Sequence, residues 1–360
     1  MIPGQYGMIP VFDGHNDLLL RFHTKPDERS AIWSGAEGKG HLDLPRMKAG
    51  GFVGGFFAIY IPSPAAPDAP DMAAMDLLMN NPPFSVPLPA PVPLALAQPM
   101  ALSMAGHLLA LERTGTLSVC RSVADIRAAI AAGRIAAIMH MEGAEAIDES
   151  LDALHVWHAA GLRSIGPGWS RPTIFGHGVP FQFPGTPDTG PGLTDAGKRL
   201  VRECNALKIM IDLSHLNEKG FDDVAALSDA PLVATHSNAH AVTPSTRNLT
   251  DRQLQVVRDS NGMVGLNYAT VFLNPDGRRA AFHGWDPVLR HLDHLLGILG
   301  EDRVGLGSDF DGAEMPADLG DVAGQPRLLD ALRTHGYGDT LICKIANENW
   351  MALLTRTWGG

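Results

Sequence analysis

Cysteine is scarce in this chain: three thiols, Cys120, Cys204 and Cys343, are spread over 360 residues. A disulfide framework and a thiolate zinc site both need cysteines paired at short spacing, so both are excluded. Cys204 falls inside an amphipathic helical pattern and reads as a small buried hydrophobe. Positive charge is also in deficit. Lys and Arg total 28 against 39 Asp and Glu, a formal net charge of −11, with no basic cluster. Nucleic acid and anionic membrane surfaces are therefore not expected partners. No uninterrupted apolar run reaches the roughly 20 residues of a membrane span. The opening MIPGQYGMIPVFDGH lacks a basic segment followed by an apolar one, so no signal peptide is expected and a cytoplasmic, reducing setting follows. Apolar residues are not lacking: they make up 45% of the chain against 19% charged, enough for a large core and too many for global disorder.

Short apolar runs recur, each followed by a polar turn and a helical pattern. Strands are expected near 9–14, 52–60, 135–142, 162–166, 208–214, 231–235, 262–268 and 303–308, and near-continuous Val, Ile and Leu runs fit parallel strands covered on both faces. Helical periodicity marks 194–207, 216–228, 250–260 and 286–299, with Thr194 and Thr250 as N-caps. Eight strands alternating with helices favour a closed (β/α)₈ TIM barrel, an α/β fold, in one domain spanning 1–360. Two stretches break the rhythm. Residues 61–99 hold eleven of the 27 prolines, which excludes a regular strand or long helix there. Residues 167–192 are similarly rich in Gly and Pro. Both follow strands, so both insertions belong on the C-terminal loop face, where long ordered loops wall binding sites.

The chemistry sits at the strand ends. His15 and Asp17 (DGHND) end the first strand, and their two-residue spacing turns both side chains one way. Glu142 (HMEG) ends the third, His215 (DLSH) the fifth, His236 (ATHS) the sixth and Asp309 (GSDFDG) the eighth. In a barrel these ends converge on one mouth. Each residue alone has an ordinary reading, as a satisfied core histidine, a turn aspartate or a helix cap. Six together would be costly to bury without a cation. Imidazole and carboxylate donors without thiolate suit zinc first, with manganese, cobalt or iron behind it. Three His and three carboxylates exceed the needs of one catalytic ion, whereas two ions about 3.5–4 Å apart, sharing a carboxylate and a hydroxide, use them all. Asp309 then suits a general base.

The ordered motifs DGHND, HMEG, IDLSH, THSNAH, TRN and GLGSDFDG resemble the membrane (renal-type) dipeptidases, peptidase family M19 of the amidohydrolase superfamily, from about residue 11 to 350. The resemblance implies a (β/α)₈ fold holding two Zn²⁺, with His15 and Asp17 on one ion, Glu142 bridging, and His215 and His236 on the other. It makes Asp309 the catalytic aspartate and Arg247 (STRNLTD) the residue that grips the substrate's C-terminal carboxylate, a role a guanidinium fork fits. The implied activity is hydrolysis of a dipeptide's amide bond, with a D-residue tolerated at the C-terminal position. The alternatives are another amidohydrolase reaction, on an N-acyl amino acid, β-lactam or lactone, or a non-catalytic metal-binding barrel, which would need no base beside its metals. Family members often form homodimers, an expectation that extends here.

One departure stands out. Where mammalian members carry a histidine after the fourth strand, this chain reads GPGWSRP, with Trp169 in place. Trp can donate one N–H or pack a substrate side chain, but it cannot act as an imidazolium. His177, eight residues on, is a candidate to reach back, and a plain loop histidine is an equal reading. Tyr268, at the end of the seventh strand, completes the expected substrate contacts. His140 and His240 are expected to be structural.

Overall fold

The computed structural model describes residues 8–64 and 72–359. All eight expected strands are present: β1 Val11–Asn16, β2 Phe52–Tyr60, β3 Ile135–Glu142, β4 Leu162–Ile165, β5 Met210–Ile211, β6 Val233–Ala234, β7 Met263–Asn267 and β8 Val304–Gly307. They pair in parallel in the order β5-β4-β3-β2-β1-β8-β7-β6. A parallel bridge between Asp212 and Val233 joins β5 to β6 and nearly closes the ring. Every residue of β1 and β3 is buried, as expected of strands covered on both faces. The register levels the strand ends at the mouth, with Tyr60 opposite Glu142, Asn267 opposite Gly307 and Asn16 bridging Phe310.

The barrel interior is filled by Phe12, Phe56, Ile138, Met210, Val233 and Met263. The C-terminal helix Asn349–Trp358 packs on this cluster, and the fully buried Trp350 donates its indole N–H to Leu306 O at 3.0 Å. Four expected helices appear as Asp195–Leu207, Glu218–Leu227, Asp251–Asp259 and Asp286–Leu299. Thr194 caps the first by accepting from Gly197 N, and Thr250 forms a capping box with Gln253.

The proline-rich stretch 61–99 corrects one expectation. Its residues 65–71 lie outside the described ones, but the rest holds the helix Met72–Met79, the strand Phe84–Val86 and the start of a 20-residue helix, Leu94–Arg113. Pro93 precedes the long helix, where a missing N–H costs nothing. Pro99 lies on exposed surface, where water can satisfy the carbonyl it leaves unpaired. By length and a mean hydropathy of 1.4 this helix could cross a membrane, while its Ala97, Ala101, Met104, Ala105 and Leu108 are buried. Residues 167–192 hold a short strand, Phe181–Phe183, which pairs antiparallel with Phe84–Val86 and ties the two long loops together. Met79, Phe84, Phe183, Val271 and Phe272 pack beneath that pair.

Candidate metal centre

The strand ends bring five expected ligands within a few ångströms. His15 Nε2 lies 3.5 Å from Asp17 Oδ2 and 3.6 Å from Glu142 Oε2. The other Glu142 oxygen, Oε1, lies 2.9 Å from His215 Nε2 and 3.6 Å from His236 Nε2. Glu142 thus divides its two oxygens between two donor groups, His15 with Asp17 and His215 with His236, each compact enough to hold a cation. All five side chains are buried.

The rings are held from behind. His215 Nδ1 meets Ser170 Oγ at 3.0 Å and His236 Nδ1 meets Thr235 Oγ1 at 2.8 Å, which leaves both Nε2 atoms facing the centre. Thr235 Oγ1 in turn donates to Asp212 Oδ2 at 2.6 Å. His15 stacks on His236 with centroids 3.8 Å apart.

Without a cation the cluster is frustrated. His15 has no hydrogen-bond partner on either ring nitrogen among the described residues. Burial opposes charging of its ring, yet Glu142, Asp17 and Asp309 outweigh that and raise it to about 10. Burial pushes the Glu142 carboxyl well above its usual range, and Asp17 and Asp309 push it further. Burial, with Arg247 and His15 nearby, holds His215 and His236 well below the usual imidazole range. Their Nε2 atoms meet at 3.1 Å, and both face Glu142 Oε1. An unpartnered His15 and two Nε2 atoms turned on each other, all facing a shared carboxylate, are what divalent cations relieve, so the donor set fits metal.

Asp309 stands beside this group. Its backbone has φ +61°, a left-handed conformation that Asp tolerates better than most residues. Its N–H donates to His15 O at 3.0 Å, tying the ends of β8 and β1 together, and Asn267 Nδ2 donates to its Oδ2 at 3.0 Å. Burial raises its carboxyl above the ordinary range, against the pull of His15. Gly312 makes the approach to Asp17 possible. A Cβ there would stand 2.2 Å from Asp17 Oδ2 and 2.4 Å from Asp309 Oδ1.

A cavity of about 230 Å³ opens above the cluster, with Asp17, Glu142, His215 and Asp309 among its lining residues. Leu20, Tyr60, Trp169, Phe181, Phe272 and Arg279 line it too. Trp169 packs against Tyr60, Phe181 and His215, with ring centroids at 5.0, 5.5 and 5.7 Å. Behind it the fully buried Arg171 lies 5.5 Å from the Trp169 ring and 5.9 Å from Tyr60, and pairs with the buried Glu145 at 2.6 Å.

The other expected contacts lie elsewhere. Arg247 is 2% exposed and does not line the cavity. It sits 5.2 Å from the Phe272 ring, with Nη1 donating to Ser214 O and Nη2 to His236 O at 3.2 Å. Only its Nε lacks a partner, and burial lowers the guanidinium to about 10. Tyr268 is 1% exposed, outside the cavity, with its hydroxyl 3.3 Å from Gln325 Oε1. The strand alternation that turns Asn267 toward the mouth turns the next residue away. His177 is half-buried and also outside the lining, and its carbonyl accepts from Asn217 N. His140 lies deeper in the barrel, bonded to Ser164 and 3.6 Å from Asp212, and His240 bonds Gly185 O. Sequence reasoning missed Asp212, Asn267, Arg171 and Arg279. Only Asp212, three residues before His215 in IDLSH, left a visible signal.

The sequence profile of the family described as membrane dipeptidase, peptidase family M19, matches residues 6–357. Among solved structures, a metallopeptidase from Rhodobacter sphaeroides, liganded with a phosphinate mimic of the dipeptide L-Ala-D-Ala, is 65% identical. It superposes at a TM-score of 0.95 over 97% of this chain and 99% of its own. Dipeptidase AC, a metallopeptidase of family M19, is 64% identical at a TM-score of 0.94, covering 98% of this chain and 99% of its own. A Klebsiella pneumoniae protein from the pqqA 5′ region is 50% identical over 244 residues, 68% of this chain and 90% of that one.

Proposed function

The chain belongs to the membrane dipeptidase family, peptidase family M19, and we propose that this metal-dependent dipeptidase uses two zinc ions to hydrolyse dipeptides, including those with a C-terminal D-residue. The observation that carries the two-ion reading is the division of Glu142, whose Oε2 faces His15 while Oε1 faces His215 and His236. His15 and Asp17 would hold one ion, His215 and His236 the other, and Glu142 both. When bound, such a pair supplies Lewis acidity toward the scissile carbonyl and lowers the pKa of water at the site.

The remaining chemistry falls to the protein. The substrate's amide lies on the cavity floor between Glu142, Asp17 and Asp309. Asp309, its carboxyl raised by burial, takes a proton as water attacks the carbonyl carbon. Asn267 occupies Oδ2, so Oδ1 is the atom that exchanges the proton. As the C–N bond breaks, Asp309 returns the proton to the leaving nitrogen, and two amino acids depart. Arg247 supplies positive charge for the substrate's C-terminal carboxylate, and the Phe272 ring that covers it must shift for direct contact. Trp169 and Phe181 exclude water from one side of the amide. The small cavity suits a ligand of two residues, and the phosphinate held by the Rhodobacter relative mimics a dipeptide of that size with a D-residue.

The test is hydrolysis of an L-Xaa-D-Xaa and L-Xaa-L-Xaa dipeptide library by zinc-loaded protein, with Asp309→Asn as control. Cleavage lost in the variant while bound zinc is retained is the expected result. Silence across the library with two zinc ions bound per chain would overturn the substrate assignment.

A further inference from the structure

Among the described residues, Arg279 is the only Lys or Arg that lines the cavity. Its neighbours there are largely apolar, including Leu20, Met75, Met79, Phe181 and Phe272. An arginine facing such a wall needs an anionic partner, and the one present is weak. Arg279 Nη1 pairs with Asp76 of the helix Met72–Met79, whose side chain is 53% exposed. Its Nε and Nη2 have no hydrogen-bond partner among the described residues, so one edge of the guanidinium fork is open.

The backbone beneath is fixed. Thr270 Oγ1 donates to Arg279 O at 2.5 Å, and Arg279 N donates to Met79 O at 3.2 Å. Asn274 Nδ2 holds the carbonyls on either side, those of Arg278 and Ala280, at 2.7 and 3.1 Å. A pinned loop carrying an open fork into a binding cavity is a preorganised anion site. Glu314 also lines the cavity, but it is exposed, whereas the Arg279 side chain is 21% exposed. The more covered charge acts through the lower effective dielectric, so Arg279 outweighs Glu314.

We propose that Arg279 is a specificity residue that receives the side-chain carboxylate of an acidic dipeptide, in competition with Asp76. The proposal rests on the dipeptidase reading and adds a substrate class to it. The main-chain carboxylate goes to Arg247, leaving Arg279 for a second anion.

The experiment measures kcat/KM for L-Ala-D-Glu against L-Ala-D-Gln and for L-Glu-L-Ala against L-Gln-L-Ala, in the wild type, Arg279→Met and Asp76→Asn. The Glu-to-Gln ratio of at least one pair should fall about tenfold in Arg279→Met, the worth of one charge-assisted hydrogen bond. It should rise in Asp76→Asn, where the competing anion is gone. Those opposite signs separate anion recognition from a loosened loop, which would lower both members of a pair alike. Ratios unchanged in both variants overturn the proposal. Cleavage of none of the four by a wild type that hydrolyses other dipeptides overturns this proposal alone, whereas silence on every dipeptide takes down the dipeptidase reading with it.

Discussion

Gly312→Ala isolates the geometry of the centre from its chemistry, because no titratable group or ligand is removed. The glycine is exposed and its φ lies outside the left-handed region, so the backbone itself accepts a methyl group there. The Cβ would stand 2.2 Å from Asp17 Oδ2 and 2.4 Å from Asp309 Oδ1. Ordinary contacts begin near 3.4 Å, so each carboxylate must retreat by about 1 Å. Neither has slack. Asp17 Oδ2 is the oxygen that faces His15, and Asp309 is held through its other oxygen by Asn267. Misplacement of reacting groups by about 1 Å costs on the order of 10²-fold in rate. We expect kcat/KM for a cleaved dipeptide to fall by about that factor, with the thermal midpoint lowered by a few degrees, since displacing two packed carboxylates costs about 1–3 kcal/mol and leaves the fold intact. Steady-state kinetics and a thermal melt on the same metal-loaded sample decide it. Activity within threefold of wild type would refute the reasoning, because the two carboxylates would then tolerate the shift.

Metal removal gives a second expectation. In the metal-free protein His15 is raised to about 10 from an ordinary 6.5, so its charged form stabilises the fold below pH 6.5 and that contribution is lost as pH rises toward 10. Glu142, also raised, acts in the same direction, whereas His215 and His236 are lowered and titrate below 6.5. Chelator-treated protein should therefore melt at falling temperature between pH 6.5 and 10, and the metal-loaded protein should not follow it. A parallel pair of curves would contradict this. Zinc added back near neutral pH should also release protons into a weak buffer, measurable by calorimetry in buffers of different ionisation enthalpy. Arg171→Met should cost about 3–5 kcal/mol in denaturant unfolding, because it leaves Glu145, whose side chain is 1% exposed, buried without its partner. Asp309→Asn should lower kcat by about 10²–10⁴-fold while metal content, read by atomic emission, stays at the wild-type level.

Most of the barrel was legible because its signals are local. Eight apolar runs became eight strands, and Thr194 and Thr250 cap their helices through bonds that span three residues. The cluster at the mouth was legible for a related reason. Strand ends in a barrel share one rim, so His15, Asp17, Glu142, His215 and His236 needed only their places in the strand order to be brought together. What failed depended on contacts distant in sequence. The antiparallel pair Phe84–Val86 with Phe181–Phe183 joins two insertions nearly a hundred residues apart. The helix Leu94–Arg113 was hidden because proline content was read as a bar along the whole stretch, although Pro93 and Pro99 sit where solvent or a helix start absorbs the lost bond. Tyr268 was misjudged by one residue of strand alternation, since its neighbour Asn267 is the one that reaches Asp309.

That pattern divides the molecule's labour. The groups proposed for the chemistry stand on strand ends and are held by strand residues such as Thr235 and Asn267 or by the turn at Ser170. Much of the cavity wall comes from the segments between strands: Trp169 and Phe181 from one insertion, Met75 and Met79 from another, and Arg279 from the segment after Leu273. Loop positions tolerate replacement that strand positions do not, because they carry no barrel register. Trp169 stands on such a loop, apart from Glu142 but in ring contact with His215. It is built into the wall: Arg171 stacks behind Trp169, and Glu145 pins Arg171. Replacing Trp169 alone with histidine would leave the buried guanidinium facing a smaller, polar ring. The loss of that aromatic face should appear in the spread of accepted side chains before it appears in the rate on any single dipeptide.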